Sequence, residues 1–292
     1  MGTGSDSDKV SFQILQQQEM DGAALYGGIA RLTKGESERA TLQTISREES
    51  RHAAAFAKYT GARLKPRRFW LLWNILAARI LGYTFIIKKL EKGEDQAIEV
   101  YRENINAIPE LKQILEDEEH HEQELLDMLD EERLHYVGDM VLGMNDALVE
   151  LTGSLAGYTL AMQNTHVIAM AGLITGVSAT LSMAASGYLS SREAGQKDAA
   201  KSATYTGIAY LVTVALLIIP FLILPSGSYL WALGITLLMA VTIIAGFNYY
   251  ISISKDRPFR RSFLVMAGIS LGVATISFGV GLLVKNVLGI DL

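Results

Sequence analysis

Two patterns of apolar and polar positions divide the chain. Over residues 10–135 apolar side chains recur at three- and four-residue spacing with charges between them, the mark of amphipathic helices. From residue 138 onward the apolar runs are nearly unbroken, each about 20 residues long, the length that crosses a bilayer. The first pattern predicts helices over 10–34, 37–60, 91–107 and 110–135. Gly61 and Pro66 close the second, and Pro109 opens the fourth. The second pattern predicts five spans, at 138–161, 166–190, 203–224, 229–251 and 263–286. The expected fold is all-α, a four-helix bundle followed by five transmembrane helices. The divisions are a disordered start at 1–9, a bundle at 10–135 and a membrane domain at 136–292. No Pro interrupts Glu116–Met162, so one continuous helix can carry both halves, and Gly138 and Gly143 offer a bend where they join.

The apolar run at 69–87 is long enough to span, yet it holds Asn74 and Arg79, and a span here would put the two helix pairs on opposite sides of the membrane. A helix of about 67–90 lying in the membrane interface fits better, with Trp70, Trp73 and Tyr83 at headgroup depth and Arg67, Arg68, Lys88 and Lys89 reaching anionic lipid. The alternative is a buried crossover helix.

Charge separates the halves further. Residues 1–136 carry 18 Lys/Arg and 24 Asp/Glu, against 8 and 7 in residues 137–292. The acidic balance disfavours nucleic acid and suits cations. Without cysteine, thiolate sites and disulfides are excluded. The connections at 192–201 and 255–261 hold seven Lys/Arg, whereas those at 163–165 and 225–229 hold no charge. Positive loops stay inside, so the bundle is expected in the cytoplasm of a multi-pass protein of the cell (inner) membrane.

Candidate chemistry lies in both halves. Glu19 precedes Tyr26 by seven residues, as Glu94 precedes Tyr101, and each of these helices is followed by one bearing Glu-x-x-His: Glu49–His52 and Glu118–His121. Glu and His at i and i+3 share a helix face and can hold one metal ion. One Glu from each of two helices plus two Glu-x-x-His pairs is the di-metal recipe of four-helix bundles. Carboxylate with imidazole favours Fe, Mn or Zn over Ca or Mg. In the first predicted span Asp146 and Glu150 share a face, with Met140 and Met144 close by, and Met183 of the second span can face the same path. Ionisable groups inside a membrane segment are functional candidates.

The six bundle residues, Glu19, Glu49, His52, Glu94, Glu118 and His121, resemble the rubrerythrin branch of ferritin-like proteins over roughly 10–132. That resemblance implies a di-iron site able to bind Fe2+ and to oxidise it. GMNDALVE and LSMAASGYLS, at 143–150 and 181–190, resemble the first two helices of the vacuolar iron transporter family. That likeness implies dimeric export of Fe2+ or Mn2+ from the cytosol against protons, with Asp146 and Met183 at metal-contact positions. Ser186-Gly187-Tyr188 stands where the family often has Gly-Glu-Tyr, and the acidic insert between the second and third spans is reduced to residues 192–201. The combination resembles the prokaryotic membrane-bound ferritins, which export iron. The expected partners are metal ions, protons, membrane lipid and a second copy. A membrane-tethered di-iron ferroxidase or peroxidase, or a Mn2+ transporter of the same build, is the alternative.

Overall fold

The computed structural model describes residues 6–104, 110–128, 135–195 and 198–288. All regular structure there is helical, and the chain divides into two compact units, Met1–Glu131 and Glu132–Leu292.

The first unit holds α1 (Asp6–Ala30), α2 (Glu36–Thr60), α3 (Arg68–Leu81), α4 (Tyr83–Asn104) and α5 (Glu110–Met128). The helix of α1 begins at Asp6, inside the stretch expected to be disordered. Leu25, Ile29, Leu42, Ile45, Ile86, Ile87 and Leu111 fill its core. Gly61 ends α2 in the left-handed conformation (φ 65°), its N–H returning to Ala57 O at 2.9 Å. The segment that follows is tied to α1. Gln16 donates to Ala62 O at 3.0 Å, Gln17 to Lys65 O at 3.1 Å, and buried Asp21 accepts from the Arg67 backbone N–H (2.7 Å) and Nε (2.6 Å).

The apolar run at 69–87 is two helices. Gly82, at φ 100° and ψ 151°, occupies a conformation that L side chains rarely adopt, and the chain turns there from α3 into α4. Phe85, Ile86 and Ile87 then enter the core, so α4 starts eight residues before the predicted 91. At 14 residues, about 21 Å, α3 is too short to span.

The second unit holds α6 (Val137–Met162), α7 (Thr165–Glu193), α8 (Ala199–Ile223), α9 (Tyr229–Ser254) and α10 (Phe259–Leu288). Among the described residues four helices are long and apolar enough to cross a membrane: Thr165–Glu193, Ala199–Ile223, Tyr229–Ser254 and Phe259–Leu283. Thus α6, expected as the first span, falls outside that set. Its 26 residues are long enough, but Asn145, Asp146, Glu150 and its Gly, Ser and Thr residues dilute its apolar character. It is the interior helix of the unit, burying Ala147, Leu148, Leu151, Leu155 and Ala156 against α7, α8 and α10. Small residues allow that closeness. A Cβ on Gly143 would stand 2.4 Å from Thr206 O, and one on Gly281 would stand 2.9 Å from Gly157 O.

The expected continuous helix from Glu116 to Met162 is interrupted. The backbone leaves helical geometry at Tyr136 (φ −96°, ψ 7°), and α6 starts afresh at Val137. Gly143, once a candidate bend, lies inside an unbroken helix, where its missing side chain serves packing.

Candidate metal centre

The site of the first unit is built by α1, α2 and α5. Glu49 and His52, like Glu118 and His121, are three positions apart, so each pair emerges from one helix face, here turned inward. Glu19, Glu49, His52 and Glu118 are buried and offer ligand atoms that all lie within 4.8 Å of one another, a group that can hold a metal ion. His52 Nδ1 is 3.3 Å from Glu19 Oε2 and 3.1 Å from Glu118 Oε1. His121 Nδ1 is 3.3 Å from Glu49 Oε1 and 3.7 Å from Glu118 Oε2. Glu118 therefore turns one oxygen toward each imidazole, as a carboxylate shared by two cations would. The rings are 5.9 Å apart between centroids. Glu94 lies in α4, and its side chain falls outside the described residues.

The donor set suits a cation. Glu19 Oε2, His52 Nδ1 and His121 Nδ1 are buried and make no directed hydrogen bond, although buried polar atoms are normally satisfied. Burial alone would lower the His52 pKa, yet contacts with Glu118, Glu19 and Asp117 outweigh it and raise it to about 10. His121 shifts upward for the same reason, with Glu118 and Glu48 overcoming burial. Burial likewise opposes the ionisation of Glu118, and His121 and His52 more than offset it, leaving its pKa low. The imidazolium proton of His52 thus holds carboxylates together where a divalent cation would sit. Carboxylates with imidazole nitrogens fit Fe, Mn or Zn, and the donor set does not choose among them.

Three features escaped sequence reading. Each imidazole is held from behind by a carboxylate of the other Glu-x-x-His helix: His52 Nε2 meets Asp117 Oδ2 at 3.0 Å, and His121 Nε2 meets Glu48 Oε2 at 2.8 Å. Such pairs fix the tautomer and orientation of a ligating ring. Asp117 and Glu48 immediately precede Glu118 and Glu49, and in an acidic run neither stands out. The tyrosines, moreover, cross between repeats. Tyr101 of α4 donates to Glu19 of α1, and Tyr26 of α1 donates to Glu91 of α4 at 2.5 Å. Glu91 is the third. Burial raises its pKa to about 7 against the lowering effect of Tyr26, and Glu118 and His121 both act on it. It lies on the site's α4 wall, one turn before Glu94. Its signal was the i, i+3 spacing to Glu94. Leu15, Phe56, Tyr101, Leu111 and Ile114 form a buried apolar cluster that meets the site through Tyr101 and Glu19.

In the second unit the expected path residues differ in burial. Met144 is buried in the core, Met183 packs against its edge, Asp146 is half-buried, and Glu150 is exposed overall. Glu150 accepts a hydrogen bond at 2.8 Å from Tyr210, which lies buried on α8 and was not a candidate from sequence.

No curated protein matches the chain. Residues 137–199, the stretch of α6, α7 and the start of α8 that carries Met144, Asp146, Glu150 and Met183, match the model of the VIT family.

Proposed function

We propose that the chain moves a divalent metal cation across a membrane, Fe2+ first, and that the first unit gathers that cation on the cytoplasmic side. The observation that carries this reading is the VIT family match over residues 137–199, within a unit whose other long helices are apolar enough to span. The buried cluster of Glu19, Glu49, His52 and Glu118 supports it from the other unit, as a place where the cargo would be held before transfer. In this reading α6 is a fifth span, kept from the lipid by its neighbours, and Asp146 with Glu150 receives the ion on that helix. Two carboxylates one turn apart neutralise a divalent charge and can exchange it for protons, which makes proton antiport the natural coupling. The basic connections at 192–201 and 255–261 put the first unit on the cytoplasmic side, and a cation gathered there would leave the cytoplasm. The membrane is the cell membrane and the working form a dimer.

The test is flux in proteoliposomes of the full chain. Fe2+ should move with an opposing proton flux, and Asp146→Ala should abolish both. Transport that survives Asp146→Ala undiminished would remove that residue from the path. Oxygen consumption on Fe2+ addition with no flux would instead establish a membrane-tethered ferroxidase. A larger flux for Mn2+ would change the cargo and leave the architecture standing.

A further inference from the structure

The outer face of α3 carries none of the candidate metal or path residues, and its chemistry points elsewhere. Phe69, Leu72, Trp73, Leu76 and Ile80 fall within about 100° of one another around the helix at 100° per residue. All five are exposed, Phe69 at 84%, Leu72 at 67% and Trp73 at 63%. Such values match the apolar helices of the second unit, where Ile174 stands at 67% and Trp231 at 76%. A soluble surface rarely displays so continuous an apolar stripe.

The stripe is held outward rather than left loose. On the opposite side Asn74 and Ala78 are buried, and Ile75 packs where a Cβ on Gly28 would approach it to 2.6 Å. Asp21 fixes the start of the helix through Arg67, whose guanidinium also lies 5.6 Å from the Trp70 ring centroid. The turn at Gly82 fixes the other end.

Charge identifies the occupant. Residues 61–90 contain seven basic residues and no acidic one, in a chain whose net charge is −5. Arg68 and Arg79, eleven residues apart, fall about 20° from each other along one border of the stripe. We propose that α3 is an interfacial helix that docks the first unit on the anionic lipid surface of the membrane crossed by the second. Its apolar stripe enters the acyl boundary by about 5–10 Å while Arg68 and Arg79 meet the phosphate groups. A second copy is disfavoured as the occupant, because stripe packed on stripe would bring two surfaces of the same positive sign together. The proposal needs only that the chain is embedded in a membrane, and stands apart from which cargo is moved.

The chain has no cysteine, so single-cysteine variants carry a nitroxide at one known place. Leu72→Cys on the stripe and Gln43→Cys on the exposed side of α2 are labelled in the full-length protein, in vesicles containing phosphatidylglycerol. Collision rates with oxygen and with a water-soluble nickel complex are then compared. Leu72→Cys should favour oxygen over nickel by about tenfold more than Gln43→Cys does, as expected for a site below the headgroups. Arg68→Gln with Arg79→Gln, or phosphatidylcholine in place of the anionic lipid, should shrink that ratio. Intact metal binding by each variant reports that the unit is folded. Nickel access at Leu72→Cys equal to that at Gln43→Cys would place the stripe in water and overturn the proposal. Exclusion of both reagents would also overturn it, by covering the stripe with protein, and dipolar broadening between labels would then name a second copy as the cover.

Discussion

The two units bury polar groups in opposite ways. In the second, many buried hydroxyls and amides are satisfied by their own helix. Thr159 donates to Leu155 O at 2.6 Å, Thr180 to Gly176 O at 2.7 Å, Thr206 to Ser202 O at 2.9 Å and Asn248 to Ile244 O at 2.8 Å. In these four the polarity is cancelled within one turn. Thr236 and Ser270 instead donate to a carbonyl of a neighbouring helix, Leu217 O at 3.0 Å and Leu148 O at 3.2 Å. In the first unit, buried polar atoms come from three helices and converge, with His52 Nδ1, His121 Nδ1 and Glu19 Oε2 making no directed hydrogen bond. A helix interior tolerates local cancellation anywhere along its length. Convergence requires separate helices to hold like charges against one another, which is stable only around cations, whether protons or a metal. Burial of polarity therefore marks a site only where it is not cancelled locally. By that measure the first unit declares its centre. In the second the exceptions are contacts between two neighbouring helices, such as Ser191–Ser202, Thr236–Leu217 and Tyr210–Glu150, and do not converge on one point.

The largest test separates the units. Glu49→Ala should weaken metal binding by the first unit at least about a hundredfold, because it removes a ligand and leaves its neighbours without compensation. Some transport should persist. Asp146→Ala should do the reverse, ending flux while leaving calorimetric metal binding by the first unit intact. Equal loss of both properties in either variant would dissolve the distinction. A smaller effect is expected one layer out. Asp117→Ala keeps every ligand yet frees the His52 ring, and should weaken metal binding by about 10–100-fold, with Asp117→Asn recovering part of that. An unchanged affinity would make Asp117 a surface charge.

How much of this was readable in the sequence depends on the range of the interaction. The Glu-x-x-His pairs are local, so their shared faces follow from the helical repeat alone. The partners behind them are not: which carboxylate stands against His52 depends on how α5 crosses α2, and no spacing encodes that. Glu91 shows the intermediate case. Helical phase places Glu91 and Glu94 on one face, but only the approach of α1, with Tyr26, puts Glu91 at the site. The break at Gly82 was hidden because composition treats 69–87 as one apolar run, while backbone conformation and burial divide it. Gly143 was noticed for the wrong reason, as a bend, because a sequence cannot show which backbone will press against a glycine.

Acidity gives a further way to sharpen the contrast. With no metal bound, His52 holds its proton up to about pH 10, well above its ordinary 6.5. A metal ion must displace that proton, so affinity should rise with pH by about tenfold per unit for each proton released, measured by competition with a chelator between pH 6 and 8. The metal-free protein should show the opposite trend. A raised histidine pKa contributes stability in full below pH 6.5 and loses it progressively toward pH 10, so the unoccupied unit should melt at lower temperature as pH rises. A pH-independent metal affinity would mean that His52 is not a ligand.

In the second unit the effects shrink to packing. Gly143→Ala should destabilise by about 1–3 kcal/mol in detergent melts, because the added methyl meets Thr206 O, a backbone atom that cannot swing away. Gly138→Ala, with nothing within 4 Å, should be neutral or gain up to about 1 kcal/mol from helix propensity.

The smallest expected effect is the most discriminating for the contrast between the units. Thr159 is fully buried, and its hydroxyl donates only to Leu155 O, a carbonyl of its own helix. Thr159→Val replaces that hydroxyl with a methyl of similar size. The Leu155 carbonyl is one turn back in the same helix, where the i→i+4 backbone bond already uses it, so no buried acceptor is stranded. The change should cost less than about 1 kcal/mol, within the range seen for hydroxyls in membrane helices, and flux should be unaltered. Glu118→Gln in the first unit is the matched comparison: it too is nearly isosteric and buried, yet it strips charge from a carboxylate facing both His52 and His121. There the loss should appear in metal affinity, by at least about tenfold. If Thr159→Val proved as damaging to flux as Glu118→Gln is to binding, the hydroxyls of the second unit would be part of a path rather than locally cancelled polarity, and the line drawn between the two units would have to move.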